Sequence, residues 1–174
     1  MTALLYTQVH CLHDNQVLLM KRNKEPNLGL WVAPGGKIEA DESPYECAAR
    51  ELLEETGLRA HVMNLRGIVS VVMPTLTQPC MQFLYVVTSL SGDLVADERE
   101  GSLRWWSVEA ELPLPMPPSN TVYLPRILDV NRPFYQAKHV YDSDWQMMEV
   151  IEHPTQVKLG SEQRMSRGGE GEGR

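Results

Sequence analysis

The stretch RELLEETG, residues 50–57, crowds Glu51, Glu54 and Glu55 onto one side of a would-be helix, close to its C-terminal end. At 3.6 residues per turn the three side chains project within an arc of about 100°. Like charges at i,i+3 and i,i+4 each cost roughly 0.2–0.5 kcal/mol, and the partial negative charge of a helix C-terminus opposes the acids a second time. Stability does not recommend the placement, so a compensating cation is expected. Mg²⁺ takes hard oxygen ligands: one or two carboxylates, several waters and phosphate oxygens. Repulsion among the three acids becomes attraction once divalent ions sit between them. The chemistry open to such a group is metal-assisted displacement at phosphorus, with a carboxylate orienting or deprotonating the attacking water.

Neighbouring residues could serve the same chemistry or none. Arg50 could pair with Glu46 or Glu54 one turn either way and orient the acids, or it could touch substrate. Glu42 could join the cation cluster or merely favour the helix N-terminus. Gly35 and Gly36 allow a tight turn or a close backbone approach, and Lys37 beside them either contacts substrate or is solvated. The Gly-Lys pair is not a Walker loop, because it lacks the following Ser or Thr and the upstream glycine.

Positioning the acids falls to a helix with legible ends. Ser43 is the N-cap, Pro44 the first helical residue, and Glu46 closes a capping box. Gly57 suits the left-handed residue just past the last turn, with Leu58 placed to touch Leu53 in a Schellman ending. The helix is predicted over about 44–56, with Tyr45, Ala48, Ala49 and Leu52 on a face that packs against a sheet. Residues 3–12 and 16–22 read as a hairpin turning at Asp14 and Asn15. Residues 61–73 and 81–90 read as strands, and LRWWSV as another. From 111 the segment ELPLPMPPSN is too Pro-rich for regular structure, and a helix is expected over about 121–130, with Pro125 able to kink it. FYQAKHVY and WQMMEVIE offer two further strands about DSD. The last stretch, SEQRMSRGGEGEGR, has almost no apolar residues and is expected to be disordered.

The chain has 174 residues, 43% hydrophobic and 22% charged, enough for one domain with a substantial core. Its formal net charge of -7 argues against a nucleic-acid binder, which would present a basic face. Any phosphate it handles must meet local positive charge. Cys11, Cys47 and Cys80 are odd in number and widely spaced, which suggests neither a disulfide framework nor a zinc site and fits a reducing cytoplasm. The first residues do not read as a signal peptide, and no apolar run approaches the roughly 20 residues that span a bilayer. A soluble cytoplasmic protein with no membrane partner is expected.

Read from Gly36, the sequence runs Gly, five residues, Glu42, seven residues, then Arg50-Glu51-Leu52-Leu53-Glu54-Glu55-Thr56-Gly57-Leu58. This pattern resembles the Nudix hydrolase signature at every fixed position. It covers 23 residues without a gap, and weaker similarity in strand order extends it from about residue 3 to 130. The resemblance implies an α/β fold, the α/β/α sandwich with a mixed β-sheet, in a Nudix domain over 1–153. Residues 131–153, beyond the region of resemblance, read as an extension of open role that could cover the pocket or form a subunit contact, as in a homodimer, and 154–174 as a disordered tail. It further implies that Glu51, Glu54 and Glu55 bind Mg²⁺ or Mn²⁺ with Gly36 close by, that Glu54 or Glu51 is the base, and that Arg50 orients them. An acid from a distant loop often completes the metal site in this family, and Glu100, five residues before Trp105, has the best placement; the alternative is a solvated acidic loop.

The same resemblance bears on substrate. Arg22 sits where MutT-type members use a basic residue on the phosphates, with Gly35 and Lys37 near substrate. MutT-type 8-oxo-dGTP diphosphatases place an Asn after paired prolines, and MPPSN offers Asn120, whose amide can donate and accept together at a purine edge. The bland alternative is that Asn120 caps the following helix. Trp31, Trp105 and Trp106 could stack on a base, with core packing as the competing use. The implied activity is hydrolysis of a nucleoside triphosphate, with 8-oxo-dGTP or another oxidised purine first, to nucleoside monophosphate and pyrophosphate. Hydrolysis of ADP-ribose or another nucleoside diphosphate derivative is the runner-up. A non-catalytic nucleotide sensor is the rival, and retention of all three glutamates argues against it.

Overall fold

The computed structural model describes residues 3–95, 101–109 and 114–154. Strands β1 (Leu4–His13) and β2 (Gln16–Arg22) form the expected hairpin. Asp14 and Asn15 supply its tight turn with φ of 46° and 60°, the left-handed pair that matches the twist of the flanking strands. The pairing of β1 with β2 is registered at Leu12–Val17 and His13–Gln16, the end next to the turn. From Leu4 to Cys11, β1 instead runs parallel to β5 (Cys80–Ser91). Its other edge is taken there by residues 34–38: Val9 N–H donates to Pro34 O, Thr7 N–H to Gly36 O, and Ile38 N–H to Leu5 O. Because β2 leaves β1 so early, the Pro34–Lys37 segment can lie along β1, and that sets the position of the two glycines.

The sheet continues through β3 (Trp31–Val32), β4 (Arg59–Val72), β6 (Gly101–Ser107), β7 (Tyr135–Tyr141) and β8 (Met147–Glu152). Its order is β3-β2-β1-β5-β4-β7-β8, with β6 paired to β2. The β1–β5 and β4–β7 pairs are parallel and the others antiparallel, so the sheet is mixed. Strand β5 buries both of its faces. Tyr85 and Val87 join Val9, Cys11, Leu18, Ala48 and Leu52 under helix α1 (Pro44–Thr56), whereas Leu84 and Val86 join Tyr123, Leu124 and Ile127 of helix α2 (Pro118–Ile127). Alternation with period two sends successive side chains to opposite layers. One helix on each face gives the α/β/α sandwich, and each fully buried Leu or Val contributes about 1.5–3 kcal/mol.

Helix α1 has the N-terminal end expected of it, whereas its C-terminal end closes through a single αL bond rather than the expected Schellman ending. Ser43 Oγ accepts from Glu46 N–H at 3.3 Å and Glu46 Oε2 accepts from Ser43 N–H at 2.8 Å. Gly57 has φ 76° and its N–H donates to Leu53 O. Leu58 N–H donates to Thr56 Oγ1, and its side chain packs in the cluster that holds Ala48 and Leu52. Tyr45, expected on the packed face, is 49% exposed and touches the sheet only edge-on to Tyr85.

Two expectations need correction. Helix α2 begins at Pro118, three residues earlier than its sequence suggested, because Pro117 and Pro118 preset φ for a first turn rather than breaking regular structure. Asn120 therefore lies inside that turn, its N–H donating to Pro117 O, and it is not the cap. The two strands about DSD do form, with β7 parallel to β4 and β8 closing the edge, so 131–153 extend the central sheet. Among the described residues no helix is long and apolar enough to cross a membrane, and Cys11, Cys47 and Cys80 are free and buried. Glu100 and the tail from residue 155 onward lie outside the described residues.

Candidate active site

A cleft of about 1220 Å³ is lined by Glu51, Glu54 and Glu55 of α1, Gly35 and Gly36, Arg22 at the end of β2, and Asn120 of α2. The residues singled out from the sequence are thus mostly brought together. Arg50 stands beside the cleft, behind the acids. Lys37 is exposed and does not line it.

Arg50 gathers carboxylates. Its Nε and Nη2 hold Glu42 in a two-point pair at 3.0 and 2.6 Å, while Nη1 donates to Glu51 Oε1 at 2.8 Å and Glu54 Oε2 at 3.2 Å. The planar fork of a guanidinium makes this possible. Glu42 is therefore committed to Arg50, whose hydrogen bonds hold its carboxyl down at about 2. The guanidinium is itself pushed up, first by Glu42. Glu51 is raised instead: burial outweighs the lowering by Arg50, and Glu54 and Glu42 add repulsion. Glu55 is buried at 8% exposure, and its Oε2 accepts the Gly35 N–H at 2.8 Å. Arg50 and the Gly35 N–H help to offset the crowding of acids at the helix end.

The two glycines differ in what they permit. Gly35 has φ 148° and a Cβ there would stand 2.2 Å from Thr7 O, so both backbone and space require glycine. At Gly36 a Cβ would instead meet Glu51 Oε1 at 2.1 Å; the missing side chain is the room the carboxylate occupies. Among the described residues no three acid, His or Cys side chains stand grouped as a finished metal cage. The donors present, Glu51 and Glu54 oxygens over an open glycine, are still of the hard type that Mg²⁺ uses alongside waters and phosphate oxygens. The residues fit such an ion.

Asn120 is 3% exposed and its Oδ1 accepts from Ser119 Oγ at 3.4 Å. Arg22 is half-buried, with its Nε unpartnered. Trp31, Trp105 and Trp106 stay out of the cleft. Trp31 and Trp106 meet edge-to-face at 4.7 Å under the Arg104 guanidinium, and Trp105 packs on the α1 side. His10 and His139 are fully buried and held down to about 4 by desolvation, so they are neutral core groups. Sequence reading passed over Tyr141, Trp145 and Gln146, which line the cleft from the β7–β8 hairpin. A tryptophan inside the polar run DSDWQ was the available signal.

Residues 6–127 match the model of the NUDIX domain family. The mutator MutT protein of Bacillus halodurans superposes with a TM-score of 0.77 at 30% identity, covering 86% of this chain and 97% of that one. A Bacillus subtilis protein provisionally named 8-oxo-dGTP diphosphatase is 35% identical over 119 residues, 66% of this chain and 75% of its own. The ADP-ribose pyrophosphatase of Methanocaldococcus jannaschii is 33% identical over 85 residues, 49% of this chain and 50% of its own.

Proposed function

This chain belongs to the Nudix hydrolase family, and we propose that it hydrolyses a purine nucleoside triphosphate, with an oxidised purine such as 8-oxo-dGTP as first choice, to nucleoside monophosphate and pyrophosphate. One observation carries the reading: the α1 carboxylates, Arg22 and a buried Asn120 share a single cleft. Glu51 and Glu54, beside Gly36, would hold a divalent cation, which would supply Lewis-acid stabilisation of phosphate oxygens. Arg50 aligns those two carboxylates, and one of them, Glu54 or Glu51, orients the attacking water and takes its proton. Glu55 fixes the Gly35 turn against α1. Arg22, with Lys24 lining the same cleft, offsets phosphate charge beside the acids. Asn120, held in the first turn of α2, offers an amide to the base edge.

The relative that hydrolyses ADP-ribose favours a second reading, and the cleft, above the roughly 300–1,000 Å³ common for small-molecule pockets, has room for a second sugar. A panel of purine triphosphates, their 8-oxo forms and ADP-ribose with Mg²⁺ decides between them. The first reading expects the largest kcat/KM for an oxidised purine triphosphate, with pyrophosphate as product. A larger value for ADP-ribose, giving AMP and ribose 5-phosphate, overturns it in favour of the second. Absence of turnover across the panel would favour a nucleotide sensor.

A further inference from the structure

We propose that Trp145 is a substrate-binding residue, the platform on which the base of the substrate stacks, which makes the β7–β8 hairpin part of the substrate site. The inference rests on the nucleotide reading above and adds a residue beyond the 6–127 stretch matched to the family. Trp145 is 59% exposed, the largest side chain among the exposed hydrophobic ones, yet it lines the same cleft as Glu51 and Asn120. Its φ is 61°, a conformation that a bulky residue adopts only when its surroundings impose it.

The surroundings do impose it. Asp142 Oδ1 accepts N–H bonds from both Asp144 and Gln146 at 2.9 Å, and Asp142 N–H donates to Gln146 O at 3.0 Å. The turn is closed around the tryptophan, which stands between Asp144 and Gln146, both bonded to Asp142. The indole meets the Tyr141 ring at 6.1 Å and 61°, and Tyr141 and Ser119, the neighbour of Asn120, line the same cleft. The indole and the residue proposed to meet the base edge thus face one space. An exposed indole held at the wall of a cleft is suited to a planar partner, since stacking needs only a π-face.

The test uses the full chain with Mg²⁺ and whichever nucleotide the panel prefers. Trp145→Ala is expected to raise KM about 5- to 150-fold with kcat little changed, and Trp145→Phe to recover most of the affinity. Inhibition by inorganic tripolyphosphate, which has no base, is expected to be equal in all three proteins. An unchanged KM, an equal loss for tripolyphosphate, or failure of Phe to rescue overturns the proposal. If wild type turns over no nucleotide, the functional reading falls by itself. Equilibrium nucleotide affinity of wild type and Trp145→Ala then decides the stacking role: a 5-fold or larger loss supports it and equal affinity overturns it.

Discussion

Substituting alanine at Gly36 isolates the geometry of the site from the stability of the fold. A Cβ there would lie 2.1, 2.4 and 2.8 Å from Oε1, Cδ and Oε2 of Glu51. Ordinary contact begins near 3.4 Å, so the carboxylate must withdraw by at least 3.4 − 2.1 = 1.3 Å. The backbone need not move, because Gly36 is not among the residues with positive φ and the obstructing atoms end a flexible side chain. Withdrawal sacrifices the 2.8 Å bond from Arg50, but Arg50 keeps Glu42 and Glu54, and the carboxylate gains hydration. Less entropy in the unfolded chain returns about 0.4–1 kcal/mol. The net change should stay within about 2 kcal/mol, a Tm shift of no more than about 4–8 °C. Activity is another matter, since a misplacement of about 1 Å can cost 10²-fold. Pyrophosphate release with Mg²⁺ should fall at least that far while the melting curve stays cooperative. Gly35→Ala is the contrast: its Cβ would stand 2.2 Å from a backbone oxygen at φ 148°, and Tm should fall further than for Gly36→Ala. Activity of Gly36→Ala within threefold of wild type, or melting as poor as Gly35→Ala, would refute the reasoning.

Glu51→Gln should stabilise the metal-free protein while abolishing turnover. Burial raises the Glu51 carboxyl, so its favourable contribution is complete below the unfolded value, about 4.3, and disappears as pH rises through the folded one. At pH 7.5 the glutamine variant should melt about 2–4 °C higher for a gain near 1 kcal/mol, and the advantage should shrink toward pH 4; a lower Tm at pH 7.5 would contradict this. The Glu42–Arg50 pair has the opposite sign. Glu42 is held down to about 2, so its contribution is present above about 4.3 and is lost as pH falls toward 2. The stability gap between wild type and Arg50→Gln in urea titrations should close across that window; a constant gap would place the contribution of Arg50 elsewhere.

How much could be read from the sequence followed the range of the interactions. The caps of α1 are encoded within residues 43–46 and 53–58, so its bounds and the direction of its acids were legible. The hairpin at Asp14 and Asn15 is equally local. The partner of Glu42 was not: the sequence offered it the cation cluster or the helix N-terminus, and its pairing with Arg50 depends on how the Pro34–Ser43 segment approaches α1. The Pro-rich run misled because the same residue type that interrupts a helix interior suits its first turn. The reach of the last hairpin into the cleft depends on parallel pairing of Gly67 with Tyr135, a register set by distant strands that no local pattern reports.

The places where the chain breaks local rules converge. Acids occupy the last turn of α1, where no basic residue stands. A buried amide sits in the first turn of α2, a bulky indole holds a left-handed backbone, and a glycine at 36 leaves a gap although no positive φ requires one. Each exception would be corrected if stability alone shaped the sequence. They arise from four separate segments of chain, and all four line one cleft. Independent lapses in packing have no reason to share a cavity, whereas a substrate that must meet carboxylate, amide and ring together provides one. The structural cost is also contained: Arg50 and the Gly35 N–H offset the acids, and Asp142 supports the indole. The concessions that meet in the cleft are thus supported where they arise.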